Sequence, residues 1–301
     1  MFFPAGFYYK TFMWPPSFWY KIYEPFIRMA AGFGEASIKH DKERYEHKYE
    51  YCDLLITGSG PSGLASAYAA AKNGARVILA EDKPRFGGSL LTSDVNIGNQ
   101  TGVEWTEKII AELKSMPNVT VKNRSQVFGY YDHNMLVMSE RISDHLPKTQ
   151  KYLPKQRLWY IRANEVLISS GSIERPLVFG NNDTPGVMLS SAAKEYMKVY
   201  GVLVGKKPLI FTNNDSGYET AIEFKKNGVN PIILDTRSDP SSDIIAEAKN
   251  LNIEIKFSHV VVAAKGYKKV KSADIAKISD DKKELFNICL LYTSDAADES
   301  V

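Results

Sequence analysis

The stretch Asp53-Leu54-Leu55-Ile56-Thr57-Gly58-Ser59-Gly60-Pro61-Ser62-Gly63 decides how this chain folds. A short apolar strand runs straight into three glycines at G-x-G-x-x-G spacing, and an Ala-rich helix follows from Leu64 to Lys72. Lys72-Asn73-Gly74 puts a cation in the last turn and a glycine stop after it. A second apolar strand, Val77 to Ala80, then delivers Glu81 at its end, 18 residues past Gly63. The glycine pattern alone is weak evidence, but between a strand and a helix, with an acid at that distance, it specifies a β-α-β dinucleotide-binding unit. Gly58 permits the tight turn, Gly60 leaves room for a pyrophosphate to approach the backbone, and Gly63 lets the helix sit close to the strand. The helix N-terminus, with unpaired N–H groups and about half a positive charge, holds a diphosphate without a lysine. Glu81 is expected to accept hydrogen bonds from an adenosine ribose and to repel a 2′-phosphate, an exclusion that Lys83 and Arg85 soften.

Outward from this unit, Arg85-Phe86-Gly87-Gly88-Ser89 follows the acid closely, and a β-rich stretch comes next. Strands are expected at Val119 to Val121, Val127 to Tyr131, Met135 to Met138 and Trp159 to Arg162, with Asp132-His133-Asn134 as a turn. Val166 to Gly171 reads as a buried strand ending in a glycine that closes over the cofactor, or as an ordinary core strand. Further on the β-α-β pattern repeats. Pro208 to Phe211 is a strand, Gly217 to Lys226 a helix, and Ile232 to Leu234 a strand ending at Asp235, again 18 residues after its glycine. In this register Gly58, Gly60 and Gly63 face Thr212, Asn214 and Gly217, so side chains replace two of the three glycines. The second unit is expected to be folded but weak or empty as a nucleotide site, with binding in an altered pose as the alternative.

The chain has 301 residues, room for about two domains. Its +3 net charge is too small for a dedicated nucleic-acid binder, so none is expected as a partner. Two cysteines, Cys52 and Cys289, exclude a disulfide framework or a Cys-rich zinc site. No apolar run approaches 18 residues and no signal peptide is evident, so the reading is cytoplasmic, with no membrane partner. There is no G-x-S-x-G elbow, no Walker lysine and no H-E-x-x-H, and the five histidines lack ligand spacing. No catalytic residue and no metal site is assigned. Thirteen of the 35 aromatic residues fall between Phe2 and Phe33, an excess that points to cover by a partner subunit or a preceding domain, or to an arm packed on its own domain. Ile22 to Ala31 can form one amphipathic helix, and the charged run Lys39 to Glu50 reads as a solvated linker or helix. Lys265, Lys268, Lys269 and Lys271 beside Gly266 read as a solvated face before an anion site.

Four segments resemble the alpha subunit of heterotetrameric sarcosine oxidase: Gly6 to Pro15 with Phe18 to Gly34; the fingerprint with Gly87 to Leu91; Val127 to His133; and Ile173 to Phe179 with Asn182-Asp183 and Pro185 to Leu189. Phe211 to Ser216 matches too. The resemblance implies a multi-flavin complex that demethylates sarcosine to glycine, with folate accepting the one-carbon unit and oxygen becoming peroxide. It implies beta and smaller subunits as partners, the amine-oxidising FAD on the beta subunit, FMN at the alpha/beta interface, and NAD on this chain, with FAD as the alternative. Carried over by residue, the NAD contacts are Ser62, Glu81, Asp82, Lys83, Ser89 and Val127, which join Gly58, Gly60, Gly63, Gly88 and Gly171 from the glycine pattern as the candidate cofactor-binding residues. The chain is therefore expected to be a fragment, inactive by itself, with catalysis in other domains and subunits. Two other readings remain: a stand-alone FAD-dependent NADH oxidoreductase, and a non-catalytic scaffold.

The expected fold class is α/β, two Rossmann-like units in an FAD/NAD-linked reductase arrangement, the second degenerate and truncated. Residues 1–50 form the aromatic arm and charged linker, 51–205 the first dinucleotide-binding domain with its β-meander, and 206–288 the incomplete second domain. Residues 289–301 resemble a translated sequencing adapter and are expected to be non-native, which leaves Cys52 as the native thiol.

Overall fold

The structure, a computed structural model, describes residues 14–32, 34, 38–147 and 152–278, together with the backbone of Leu285–Cys289. Most of the aromatic run before Trp14 and the tail after Cys289 lie outside the described residues. The chain divides into two units, Met1–Arg44 and Tyr45–Val301. In the first, a π-helical turn, Trp19–Tyr23, runs into helix α1, Glu24–Ala30, which Pro25 opens and an Arg28–Glu24 ion pair staples. The expected helix over Ile22 to Ala31 is thus present in two registers. None of its side chains is buried.

The second unit is built on strand β1, Tyr45–Thr57, and helix α2, Pro61–Lys72, followed by β2, Val77–Ala80. A two-strand ribbon, β3 (Asn96–Ile97) and β4 (Gln100–Thr101), leads into helix α3, Gly102–Ser115. Thr101 and Glu104 cap α3 reciprocally: the Glu104 N–H donates to Thr101 Oγ1 at 3.2 Å and the Thr101 N–H to Glu104 Oε2 at 2.8 Å. Strands β5 (Val119–Lys122), β6 (Ser125–Tyr131), β7 (Met135–Arg141) and β8 (Gln156–Ile168) complete a six-stranded sheet of order β5-β2-β1-β8-β7-β6. Its β5-β2-β1-β8 half is parallel, and the β8-β7-β6 meander is antiparallel. The expected turn is a short 3-10 segment, Asp132–Asn134, in which His133 and Asn134 take φ of 58° and 51°.

Two expectations are corrected here. The charged run from Lys39 to Glu50 is not simply linker or helix, because Tyr45 to Glu50 form the first half of β1 and cross the expected boundary at residue 50. They pair in register with Gln156 to Ile161 of β8, with the Tyr49 and Tyr160 rings stacked at 5.0 Å and Glu46 bridging Arg157 at 2.9 Å. Such cross-strand pairs contribute roughly 0.2–1 kcal/mol each, which offsets the poor strand propensity of the charges. Likewise Trp159 to Arg162 and Val166 to Gly171 are not two strands but parts of β8, which ends at Ile168. Its last three residues are half-buried to exposed instead of core, since β8 leaves the meander there and pairs only with β1.

Helix α4, Ser190–Tyr200, joins this sheet to the repeat: β9 (Leu209–Thr212), α5 (Ser216–Lys226), β10 (Ile232–Asp235), α6 (Asp243–Asn250) and β11 (Glu254–Phe257). The three strands form a parallel sheet in the order β11-β10-β9. An antiparallel sheet of β12 (His259–Gly266), β13 (Val270–Lys277) and β14 (Leu285–Cys289) follows. The order of elements, parallel strands then a three-stranded meander, repeats that of the first half. Each half has its own core. Ile56, Leu64, Leu79 and Leu113 are fully buried in one, and Tyr218, Ala221 and Ile233 in the other. Each such large aliphatic side chain stabilises the fold by about 1.5–3 kcal/mol. Among the described residues no helix is long and apolar enough to cross a membrane.

Candidate functional site

The fingerprint turn lies between the end of β1 and the start of α2, with Gly60 as the helix N-cap and Pro61 in its first turn. What a side chain would meet at each glycine separates their roles. A Cβ on Gly58 would lie 2.4 Å from the Ser169 carbonyl oxygen, and one on Gly63 would lie 2.0 Å from the Gly58 carbonyl oxygen. A Cβ on Gly60 would meet nothing within 4 Å. Gly58 and Gly63 are therefore glycine because protein packs against them, and Gly60 faces open space. That is the cradle a diphosphate needs. Gly88, with φ of 53°, packs onto this turn, since its Cβ would come within 2.9 Å of Gly60 Cα. The Gly87 N–H donates to the Ser59 carbonyl at 3.0 Å, so the glycine pair is tied to the fingerprint through the backbone.

Glu81 follows β2 and is almost completely buried. Its Oε2 accepts from the Ser59 N–H at 2.9 Å and the Ser59 hydroxyl at 2.5 Å, and its Oε1 accepts from the Lys83 N–H at 3.0 Å. Burial pushes the Glu81 carboxyl above its ordinary 4.5, helped by the adjoining Asp82 and opposed by the hydrogen bonds from Ser59 and Lys83. Oε1, which takes one hydrogen bond, can still accept a second, which is what a ribose hydroxyl offers. Ser62, Asp82, Lys83 and Ser89 are exposed around the turn. The Asp82 carbonyl accepts from Arg141 Nη2 at 3.3 Å, and the Lys83 ammonium lies 2.7 Å from Glu195 of α4.

Two expected residues sit otherwise. Val127 on β6 is half-buried, and its side chain packs against the core that contains Met138 and Trp159. Gly171, with φ of 72°, has no neighbour at its Cβ position, and it is Ser169 that closes on Gly58, its N–H donating to the Thr57 carbonyl at 2.8 Å. Sequence reasoning missed Ser169, Ser59 and Glu195. Ser59 could have been suspected from its place inside the fingerprint, whereas nothing in the sequence joins Glu195 to a turn more than a hundred residues earlier.

The second unit keeps the geometry but puts side chains in the turn. Thr212 and Gly217 repeat the close approach of strand and helix, a Gly217 Cβ lying 2.7 Å from Thr212 Cβ. Asn214 Oδ1 accepts the Ser216 N–H at 3.0 Å and its hydroxyl at 2.6 Å, so a side chain takes the first backbone donor of α5. Asp235, the counterpart of Glu81, is wholly buried and held by Arg237 Nη2 at 2.8 Å, the Arg237 N–H at 2.9 Å and the Tyr218 hydroxyl at 2.7 Å. Burial alone would raise the Asp235 carboxyl, but hydrogen bonds from Arg237 and Tyr218 outweigh it and hold it below its ordinary 3.8. A cavity of about 950 Å³ lies along β9 and reaches this second turn, lined by Thr212, Asn214, Ser216 and Gly217 together with apolar Phe179 and Val261 among others, and it does not include the Gly58–Gly63 turn. We place the candidate site at the glycine turn, because donors, open cradle and acid converge there. Among the described residues no group of three or more His, Cys, Asp or Glu side chains could hold a metal ion.

Fold and site together define a Rossmann-like α/β fold of the kind found in FAD/NAD-linked reductases, and residues 53–138 match the family described as FAD dependent oxidoreductase. The thioredoxin reductase of Lactococcus lactis superposes with a TM-score of 0.59 at 17% identity, over 80% of this chain and 75% of that one, a likeness of fold. More specifically, the chain is homologous to the alpha subunit of sarcosine oxidase. It is 43% identical to that of Rhizobium meliloti (strain 1021) over 272 residues, 90% of this chain and 27% of the relative. It is 33% identical to that of Corynebacterium sp. (strain P-1) over 83% of this chain and 26% of the relative. The chain thus spans about a quarter of the length of these curated relatives.

Proposed function

We propose that this chain binds the ADP half of a dinucleotide, NAD, at the Gly58–Gly63 turn, as part of the alpha subunit of an amine-oxidising complex. The observation that carries the reading is the contrast within the fingerprint: Gly60 alone of its three glycines looks onto open space. The α2 N-terminus and the backbone of the turn would hold the diphosphate, Glu81 the adenosine ribose, and Ser59 keeps Glu81 aimed. Gly88 and Ser89 would cover the diphosphate from the other side, while Val127 contributes through its backbone. A bound nicotinamide ring accepts hydride, and a flavin carries electrons in ones or twos. The residues of this chain bind and orient. None is assigned to bond making.

For the whole assembly we propose oxidation of the N-methyl group of sarcosine to glycine, with folate taking the one-carbon unit, oxygen becoming peroxide, and FAD and FMN seated on or against the beta subunit. What supports it is the resemblance along nine-tenths of the chain. The match of residues 53–138 favours FAD as the second reading of the same turn. Both ligands present the same ADP half, so the site chemistry is shared. Purification of the complex, acid release of its cofactors and their assignment to chains by cross-linking tests this. NAD on the Gly58–Gly63 peptide supports the proposal, FAD there favours the second reading, and no nucleotide there overturns both.

A further inference from the structure

We infer that Glu195 of α4 makes the Gly58–Gly63 site select a dinucleotide without a 2′-phosphate, by holding the Lys83 ammonium that such a phosphate would need; the inference rests on the reading of that site as an NAD site. In sites of this class an acid at the end of the second strand serves the ribose hydroxyls, and a nearby cation takes a 2′-phosphate where one is present. Lys83 is the first cation after Glu81. Both Glu195 oxygens lie on its Nζ, at 2.8 and 2.7 Å. The backbone at Lys83 is fixed as well, its N–H donating to Glu81 and its carbonyl accepting from the Arg124 N–H at 3.1 Å.

Helix α4, which carries Glu195, is itself anchored along its length. At the start of α4 the Glu174 carboxylate accepts the Ser191 N–H at 2.9 Å, and Ser190 and Thr220 hydroxyls meet at 2.8 Å. Further along, Lys194 reaches Glu219 at 3.3 Å, and Lys198 is shared between Asp94 at 2.8 Å and Glu223 at 2.5 Å. A carboxylate on a helix anchored this way does little searching, so the usual entropic discount on an exposed pair is reduced. A phosphate arriving beside Lys83 would face three carboxylates, Glu81, Asp82 and Glu195. Arg85 and Arg141 are also near the acid, but they are the same with or without Glu195, so the difference between variants isolates Lys83.

The test is calorimetric titration of the full chain with NAD and with NADP at low ionic strength. The Glu195→Gln variant lowers the ratio of the NADP Kd to the NAD Kd by about three- to tenfold, and raised salt shrinks the effect. Lys83→Gln alone leaves the ratio nearly where it was, and the Lys83→Gln/Glu195→Gln pair loses most of the gain. Glu195→Ala is a second variant that must show the same direction. An unchanged ratio in Glu195→Gln with NAD still bound overturns the inference, as does a Lys83→Gln/Glu195→Gln pair that keeps the whole gain of Glu195→Gln. If the unaltered chain binds FAD and neither nicotinamide dinucleotide, the NAD reading itself has failed, a result distinct from a failed selectivity.

Discussion

Alanine at Gly63 and alanine at Gly60 should fail in opposite ways. A Cβ on Gly63 would stand 2.0 Å from the Gly58 carbonyl oxygen, and real Cβ atoms essentially never approach within 3.0 Å. The helix or the turn must therefore move by more than about 1 Å, against a strand and helix packed on fully buried Ile56 and Leu64. Overpacking of that kind, against backbone that cannot rotate away, costs about 2–4 kcal/mol, which lowers the melting temperature by roughly 4–16 °C for a unit of this size. Gly60 has φ of −67° and open space, so alanine fits it. The lost cap preference and the reduced unfolded-state entropy nearly cancel, leaving stability within about 0.5 kcal/mol. Its methyl group, however, projects where the diphosphate would lie, and NAD affinity should fall at least tenfold. Thermal melts of the two variants, each with and without the same concentration of NAD, separate the cases: Gly63→Ala melts low, and Gly60→Ala melts normally but gains less from NAD than the parent, by about 1.4 kcal/mol or more. A Gly63→Ala protein as stable as the parent, or a Gly60→Ala protein that binds NAD undiminished, would refute the reasoning.

Other outcomes follow from the same structure. Because burial holds the Glu81 proton above its ordinary 4.5, unfolding releases that proton, so Glu81 contributes less stability as pH rises through the window just above 4.5. The ionised form is the better ribose acceptor, so dinucleotide affinity rises across that window; a pH series of titrations should show the rise in the parent and its absence in Glu81→Gln. Removing the guanidinium with Arg237→Met leaves a wholly buried carboxylate with Tyr218 as its one remaining side-chain donor and should cost about 2–4 kcal/mol in a denaturant melt. The depressed Asp235 carboxyl gives stability that is present above its ordinary 3.8 and lost as pH falls below it, and Arg237→Met should flatten that acid limb. Cys52 is buried and its thiol is pushed up to about 12, chiefly by burial, with Asp53 and Glu50 adding to the rise. Alkylation read by peptide mass should therefore spare Cys52 in the folded chain and modify it after denaturation.

The first β-α-β unit was legible because its three glycines have reasons that act within a few residues: a turn, a cradle and a close helix. The repeat was legible for the same reason, since the helix stop and the acid recur at equal spacing even where the glycines do not. Strand β1 was half missed because Glu46, Lys48 and Glu50 give Tyr45 to Glu50 the look of a charged linker, and these residues owe their strand to pairing with β8, about a hundred residues away. The alternation of Tyr45, His47, Tyr49 and Tyr51 was the signal that could have found it. Helix α3 went unread between Ser89 and Val119, although Thr101 and Glu104, at capping-box spacing, were the signal for it. At the site, residue types gave Glu81 and the glycines, whereas Ser169 and Glu195 enter only through tertiary packing. The same holds in the second unit: the loss of two glycines was visible, but the closure of Asp235 under Arg237 and Tyr218 required the fold.

The most direct test of the central claim is an experimental structure of the chain, within its complex, soaked with NAD. The account predicts diphosphate density against the backbone amides at the start of α2, beside Gly60, with the adenosine ribose on Glu81. Density for the nucleotide elsewhere, with the Gly60 face covered by protein, would contradict it.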